Sequence, residues 1–164
     1  MPPLPLDPPT AVLASCVAWT VIGVASGYGG YRLPLTALDH DTWLTRPRHF
    51  ERDGQVYVHV LRIHRWKDRL PEAGDLFPGG SSKRALGGVD DAALRRFAAE
   101  TRRAELVHWA NLVAGPVFLL WCPPVVGATM FVFGVAAHLP FICIQRSNRA
   151  RIERILRRRT RIPR

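Results

Sequence analysis

Positive charge is missing from one end of this chain. No Lys or Arg precedes Arg32, and the single charged side chain before it is Asp7. A secretory leader places basic residues ahead of its apolar segment, so a cleaved leader is not expected. Cysteine is also scarce. Cys16, Cys122 and Cys143 each sit inside an apolar stretch, and no CxxC pair exists. That excludes a disulfide framework or a zinc site and leaves three small buried hydrophobes. No serine sits in a G-x-S-x-G elbow, and the chain has neither a Walker loop nor a dinucleotide fingerprint. Zinc-finger, RNP and helix-turn-helix patterns are absent too, so the net charge of +10 is not read as a nucleic-acid footprint. There is no internal repeat.

What is present is segregation. Apolar residues make up 48% of the 164 and charged residues 22%, but the 23 Lys and Arg lie almost wholly outside three apolar blocks. A soluble core interleaves the two classes at helical or strand period. Separation by block is what a bilayer demands. The first block, 10–29, has no charge in twenty residues, which at 1.5 Å per residue is about the hydrocarbon thickness. Gly29 and Gly30 are expected to end it, with Tyr31 and Arg32 at the interface. The second block, 106–122, is expected to kink at Gly115-Pro116, and Pro123-Pro124 turns the chain into the third block, 125–144, which Pro140 bends near its polar end.

Residues 30–105 read as a cytoplasmic or interfacial loop and helix. Gln55 to Ile63 alternates as a short strand does. Residues 63–70 read as an interfacial helical turn with Trp66 dipping inward. Asp90 or Asp91 caps a helix that runs from Ala92 on into the second block. The tail, 145–164, holds nine arginines, and Ile152, Ile155 and Leu156 fall at helical spacing. An amphipathic helix lying on the leaflet is expected there. The charge asymmetry puts the N-terminus outside and the tail in the cytoplasm of a multi-pass protein of the cell membrane. The fold class is therefore mainly α: a single integral membrane domain, 1–164, with about three transmembrane helices, a polar cytoplasmic loop and a basic amphipathic C-terminal helix.

Ionisable residues inside the blocks are functional candidates, because burying them in lipid is costly. Glu105 and His108 are three apart and share a helix face, and Asn111 is three further on. His108 lies five residues past Arg103, roughly 8 Å along a helix, and His138 eight before Arg146, roughly 12 Å. A Glu-His pair can make a general base: the carboxylate orients the imidazole, whose other nitrogen takes a proton. The plainer alternative has Glu105 marking the interface and His108 bonding a neighbouring helix. A Glu-x-x-His pair also occurs in di-iron bundles, but those need two pairs and further glutamates, so no metal is expected. Arg102 and Arg103, with Arg65, Lys67 and Arg69, can bind phosphates, or simply anchor helices to lipid head groups. Trp66, Trp109 and Trp121 fit an aromatic belt.

The run Glu100 to Trp109, ETRRAELVHW, resembles a signature of the glycosyl-4,4'-diaponeurosporenoate acyltransferase family. So does His138 to Arg149, HLPFICIQRSNR. Two shorter marks agree: Phe50-Glu51-Arg52-Asp53-Gly54, and Arg65-Trp66-Lys67-Asp68 before Leu70-Pro71. The likeness covers roughly 45–158. It departs at Ser147, where the family has Tyr, and at Ala150, where it has Pro; Asn can replace His138, which makes His108 the stronger catalytic candidate. The loop 71–89 shows no match.

The resemblance implies acyl transfer to a sugar hydroxyl of a glycosylated carotenoid, at the end of staphyloxanthin-type carotenoid synthesis. It casts His108, oriented by Glu105, as the base, and Arg102, Arg103 or Arg146 near the oxyanion or the donor's phosphates. Gln145 and Asn148 would meet the sugar, with Trp109, His138, Trp66 and Lys67 completing the substrate-binding set. No bound cofactor is implied; a fatty acyl donor such as an acyl-CoA is the co-substrate. Membrane lipids and other pigment-biosynthesis enzymes are the expected partners, and nucleic acid is not. Two other classes stay open on the residues alone: a non-enzymatic membrane adaptor docked by its basic tail, and a small membrane transferase of another group, such as methyl.

Overall fold

The computed structural model describes residues 1–70 and 90–161; the loop 71–89 and the last three residues lie outside it. Three long helices dominate: α1, Pro8–Arg32; α2, Asp91–Ala114; and α3, Pro124–Arg161. Short 3-10 and π turns fill 35–69, and a 3-10 turn, Gly115–Leu120, separates α2 from the break before α3. No strand occurs among the described residues. The chain divides into two compact units, Met1–Arg32 with Val107–Ile142, and Leu33–Leu106 with Cys143–Arg164. Both α2 and α3 contribute residues to each unit.

In the first unit, α1 begins earlier than the apolar block alone suggests. Asp7 caps it, its carboxylate accepting from Thr10 N at 3.2 Å. Pro8 and Pro9 then occupy the first turn, where a missing N–H costs nothing. The expected stop at Gly29-Gly30 does not occur, and α1 continues through both glycines to Arg32. Pro34 explains the actual end: the residue before a proline is pushed out of the α region, and that residue is Leu33. The core of this unit gathers Ala11, Phe118 and Cys122, with Trp19, Ile22, Trp121 and Met130 packed around them. Ser15 is buried among them and satisfied by its own helix, donating to Ala11 O at 2.7 Å. Small residues allow close approach: a Cβ on Gly134 would lie 2.8 Å from the Trp19 ring.

Two helices, Pro8–Arg32 and Pro124–Arg161, are long and apolar enough to cross a membrane. The second apolar block forms no third helix of that kind. Its α-helical part belongs to α2, whose first half is charged, and the remainder winds as the tighter Gly115–Leu120 turn. Most large side chains of α1 face outward, including Val12, Leu13, Val17, Val21 and Val24. An apolar surface of that extent suits a lipid solvent.

In the second unit, α2 starts at a true cap, with Ala93 N donating to the Asp90 carboxylate at 2.7 Å. The stretch expected as a strand is instead a π turn, Val56–Val60, in which Leu61 N donates to Val56 O at 3.0 Å. With no partner strand, local helical bonds are what satisfy its backbone. Tyr57 and Ile63 turn inward onto Ile144, with Trp66, Leu70 and Cys143 beside them. The tail is no separate helix: α3 runs on through Pro140 to Arg161. Its apolar stripe also differs from expectation. Ile152, Ile155 and Leu156 pack with Leu94, Phe97 and Ala98, so protein rather than the leaflet covers them.

One glycine is required by backbone shape. Gly54 has φ +85° after two left-handed residues, Arg52 and Asp53, and an added Cβ would meet the Ala150 Cβ at 2.7 Å. Gly29, inside α1, has nothing within 4 Å of such an atom. Gly54→Ala is expected to lower stability by about 1–3 kcal/mol, while Gly29→Ala raises it by roughly 0.5–1 kcal/mol. Thermal unfolding of the two variants in one detergent checks both signs.

Candidate functional site

The second unit holds a buried ionic cluster. Glu105, on α2, has no exposed surface. Its Oε1 accepts from Arg146 Nε at 2.7 Å and its Oε2 from Arg149 Nη2 at 2.7 Å. Arg146 also donates Nη1 to Glu51 Oε1, and Nη2 to Leu44 O at 2.6 Å. Arg149 adds Thr45 O at 2.6 Å and lies 3.6 Å from Asp41 Oδ1. Arg102 donates Nε to the same Asp41 oxygen at 2.6 Å, and reaches Leu38 O and Glu153 Oε1, each at 3.3 Å. Spacing on α3 produces this convergence: Arg146, Arg149 and Glu153 recur every three or four residues and so share one face.

The environment shapes the neighbouring groups. Burial, and then the Asp41 carboxylate, pushes the Glu153 carboxyl above the usual carboxylate range. Burial, and then Glu51, raises the Tyr57 phenol well above an ordinary tyrosine, so it stays neutral. Arg149 keeps one buried nitrogen, Nη1, without a hydrogen-bond partner among the described residues. Beside Arg102 and Glu153, a cleft of about 530 Å³ is also lined by Asp39, His40, Arg95 and Arg157.

The first unit holds a second polar group in apolar surroundings. His108 Nδ1 and His138 Nδ1 stand 3.2 Å apart. The His108 ring stacks on Phe141 at 4.8 Å, and His138 lies beside Trp19 at 5.8 Å. Nearby on α2, Asn111 donates to Ser26 Oγ and to Val107 O, both at 2.7 Å. A hydrogen bond between two like nitrogens requires one imidazole to donate and the other to accept. The pair is thus able to hold one ring in a defined tautomer and to pass a proton.

The sequence candidates are therefore divided. Glu105, Arg102 and Arg146 meet in the ionic cluster, while His108 and His138 meet each other. Arg103 is held elsewhere, donating to both Glu100 oxygens at 3.0 Å and to Leu33 O at 2.7 Å. Trp66 donates its indole N–H to Leu61 O at 2.8 Å, and Lys67 pairs with the adjacent Asp68. Gln145 and Asn148 on α3 and Trp109 on α2 are half-buried. Sequence reasoning did not single out Asp41, Glu51, Thr45 or Arg149. Glu51 and Arg149 both lie inside runs that carried the family resemblance, which was the available signal; Asp41 and Thr45 had none. Among the described residues no group of three or more His, Cys, Asp or Glu is placed to hold a metal ion.

Comparison with known proteins agrees with the sequence runs. The family described as glycosyl-4,4'-diaponeurosporenoate acyltransferase matches residues 40–158. A protein of that name from Staphylococcus haemolyticus (strain JCSC1435) is 28% identical over 135 residues, covering 82% of this chain and 78% of its own. Its namesake from Staphylococcus aureus (strain USA300) is 24% identical over 139 residues, covering 85% and 84%. No solved structure matches the chain. The family match takes in Glu51, Glu105, Arg146 and Arg149 together with His108 and His138, and the chain belongs to the glycosyl-4,4'-diaponeurosporenoate acyltransferase family.

Proposed function

We propose that this chain transfers a fatty acyl group from an activated donor, such as an acyl-CoA, to a sugar hydroxyl of a glycosylated carotenoid or a related glycolipid. The observation that carries the chemistry is the His108–His138 pair, 3.2 Å between Nδ1 atoms. With its Nδ1 proton donated to His138, His108 is held in the tautomer that carries its lone pair on Nε2. That nitrogen takes the proton of the sugar hydroxyl as the oxygen attacks the acyl carbonyl. The tetrahedral intermediate then collapses, expelling the donor's thiolate, which recovers the proton from the imidazolium. His138 stabilises the charged ring in between. Glu105 has both oxygens taken by guanidinium groups, and its proposed part is to hold Arg146 and Arg149 in place.

Membrane placement supports the same reading. Both substrates are amphiphiles, and two helices of the chain are apolar enough to cross a bilayer. The proposed topology has spans at 10–29, 106–122 and 125–144, the N-terminus outside and the arginine-rich tail in the cytoplasm.

Lipid and pigment extracts from cells making the glycosylated carotenoid test the base. His108→Ala, at matched protein level, is expected to lower the acylated glycoside detected by mass spectrometry by roughly 10²–10⁴-fold; unchanged product would remove His108 from the role. Glu105→Ala has a different signature. It leaves two buried guanidinium groups short of a counter-charge and is expected to cost about 3–5 kcal/mol of stability, read as a loss of folded protein in detergent chromatography. Folded protein at wild-type yield, with activity alone abolished, would instead make Glu105 part of the chemistry.

A further inference from the structure

The segment 33–70 has two contrasting sides. Its inner side is stapled to the second unit through backbone carbonyls: Arg102 to Leu38 O, Arg146 to Leu44 O, Arg149 to Thr45 O and Arg154 to Asp53 O. Leu38, Thr45, Glu51, Tyr57 and Ile63 are buried on that side. Its outer side is the reverse of what water selects. Trp43 is 70% exposed, Phe50 66% and Val60 71%. Arg46, Arg52 and Arg62 are exposed among them. Arg48 lies over the Trp43 ring, 5.3 Å from its centre, and donates to Trp43 O at 2.8 Å. The ring is thereby fixed with a cation against it. Left-handed backbone at Arg52, Asp53 and Arg62 (φ 47–54°) brackets Val58, Val60 and Leu61. Such strained turns persist only where the surroundings over-determine them.

From this we infer that residues 43–62 form a membrane-interface platform, seated on the anionic head groups of the leaflet at which α1 ends. The segment starts at Leu33, immediately after the last residue of α1, so the interface is within its reach. Aromatic rings with a polar handle settle at head-group depth, and guanidinium groups reach lipid phosphates while their stems lie along the apolar boundary. The pattern of bulky apolar tips between arginines matches that of interfacial, non-spanning elements. A solvated loop needs no such side chains, and the backbone groups of the segment not taken by those arginines can stay in water or pair locally, as the interface permits and the hydrocarbon does not.

The test uses the full chain in vesicles of phosphatidylcholine and phosphatidylglycerol, part of the phosphatidylcholine being brominated on its acyl chains close to the glycerol end. Subtracting the emission of Trp43→Phe from that of the wild type isolates Trp43. The brominated lipid is expected to quench this difference emission about two-fold, with aqueous iodide nearly without effect, and omitting phosphatidylglycerol is expected to lessen the quenching. Quenching by iodide alone would put the ring in water and overturn the proposal. Quenching by neither agent would mean that protein, such as a second copy of the chain, covers the face, which also overturns it. Bromide quenching indifferent to lipid charge would overturn the assignment of the arginines to anionic head groups.

Discussion

A carboxylate with no exposed surface needs charge and hydrogen bonds in place of its water. Glu105 is that carboxylate, and the second unit is organised by the replacement. Its two oxygens take one guanidinium each, from Arg146 and Arg149. Those guanidiniums have donors left over, which fasten Glu51 and the carbonyls of Leu44 and Thr45. The irregular segment 33–70 has no sheet ladder to hold it, so these bonds to its backbone do that work. Arg102 extends the same arrangement through Asp41 to Leu38 and Glu153. Each member is affordable in a buried place only because the others are there.

The first unit solves a different problem. Its helices carry few polar groups, and several of these find one another: Asn111 with Ser26, Trp121 with Ser15, His108 with His138. In an apolar environment such pairs are strongly favoured over unpaired groups. The histidine pair placed there is half-buried, with Phe141 stacked on one ring and Trp19 beside the other.

Some of this was legible from residue order. The helix caps at Asp7 and Asp90 are local devices, readable from one turn of sequence. The apolar blocks at 10–29 and 125–144 became long helices because hydropathy and length are themselves local properties. Errors arose where a local signal had a stronger neighbour or lacked a partner. Gly29-Gly30 tolerates either state, and Pro34 settled the matter four residues beyond. The alternation in 55–63 resembled a strand, but a strand needs a second one, and none is there among the described residues. The stripe on Ile152, Ile155 and Leu156 is genuinely amphipathic; periodicity shows that an apolar face exists and is silent on what covers it.

By itself, then, the sequence determined the helical class, the placement of apolar mass in blocks that suit a bilayer, and the family, since the runs at 100–109 and 138–149 carry it. Only the tertiary structure decided which polar residues meet. Glu105 and His108 sit three apart in the chain and looked like one pair. Yet each found long-range partners, Arg146 and Arg149 for one and His138 for the other, supplied by α3 from 30 to 44 positions away. A charged or hydrogen-bonding side chain is satisfied by whatever acceptor or donor the fold brings within about 3 Å, and that distance is a property of packing, which neighbours in the chain do not specify.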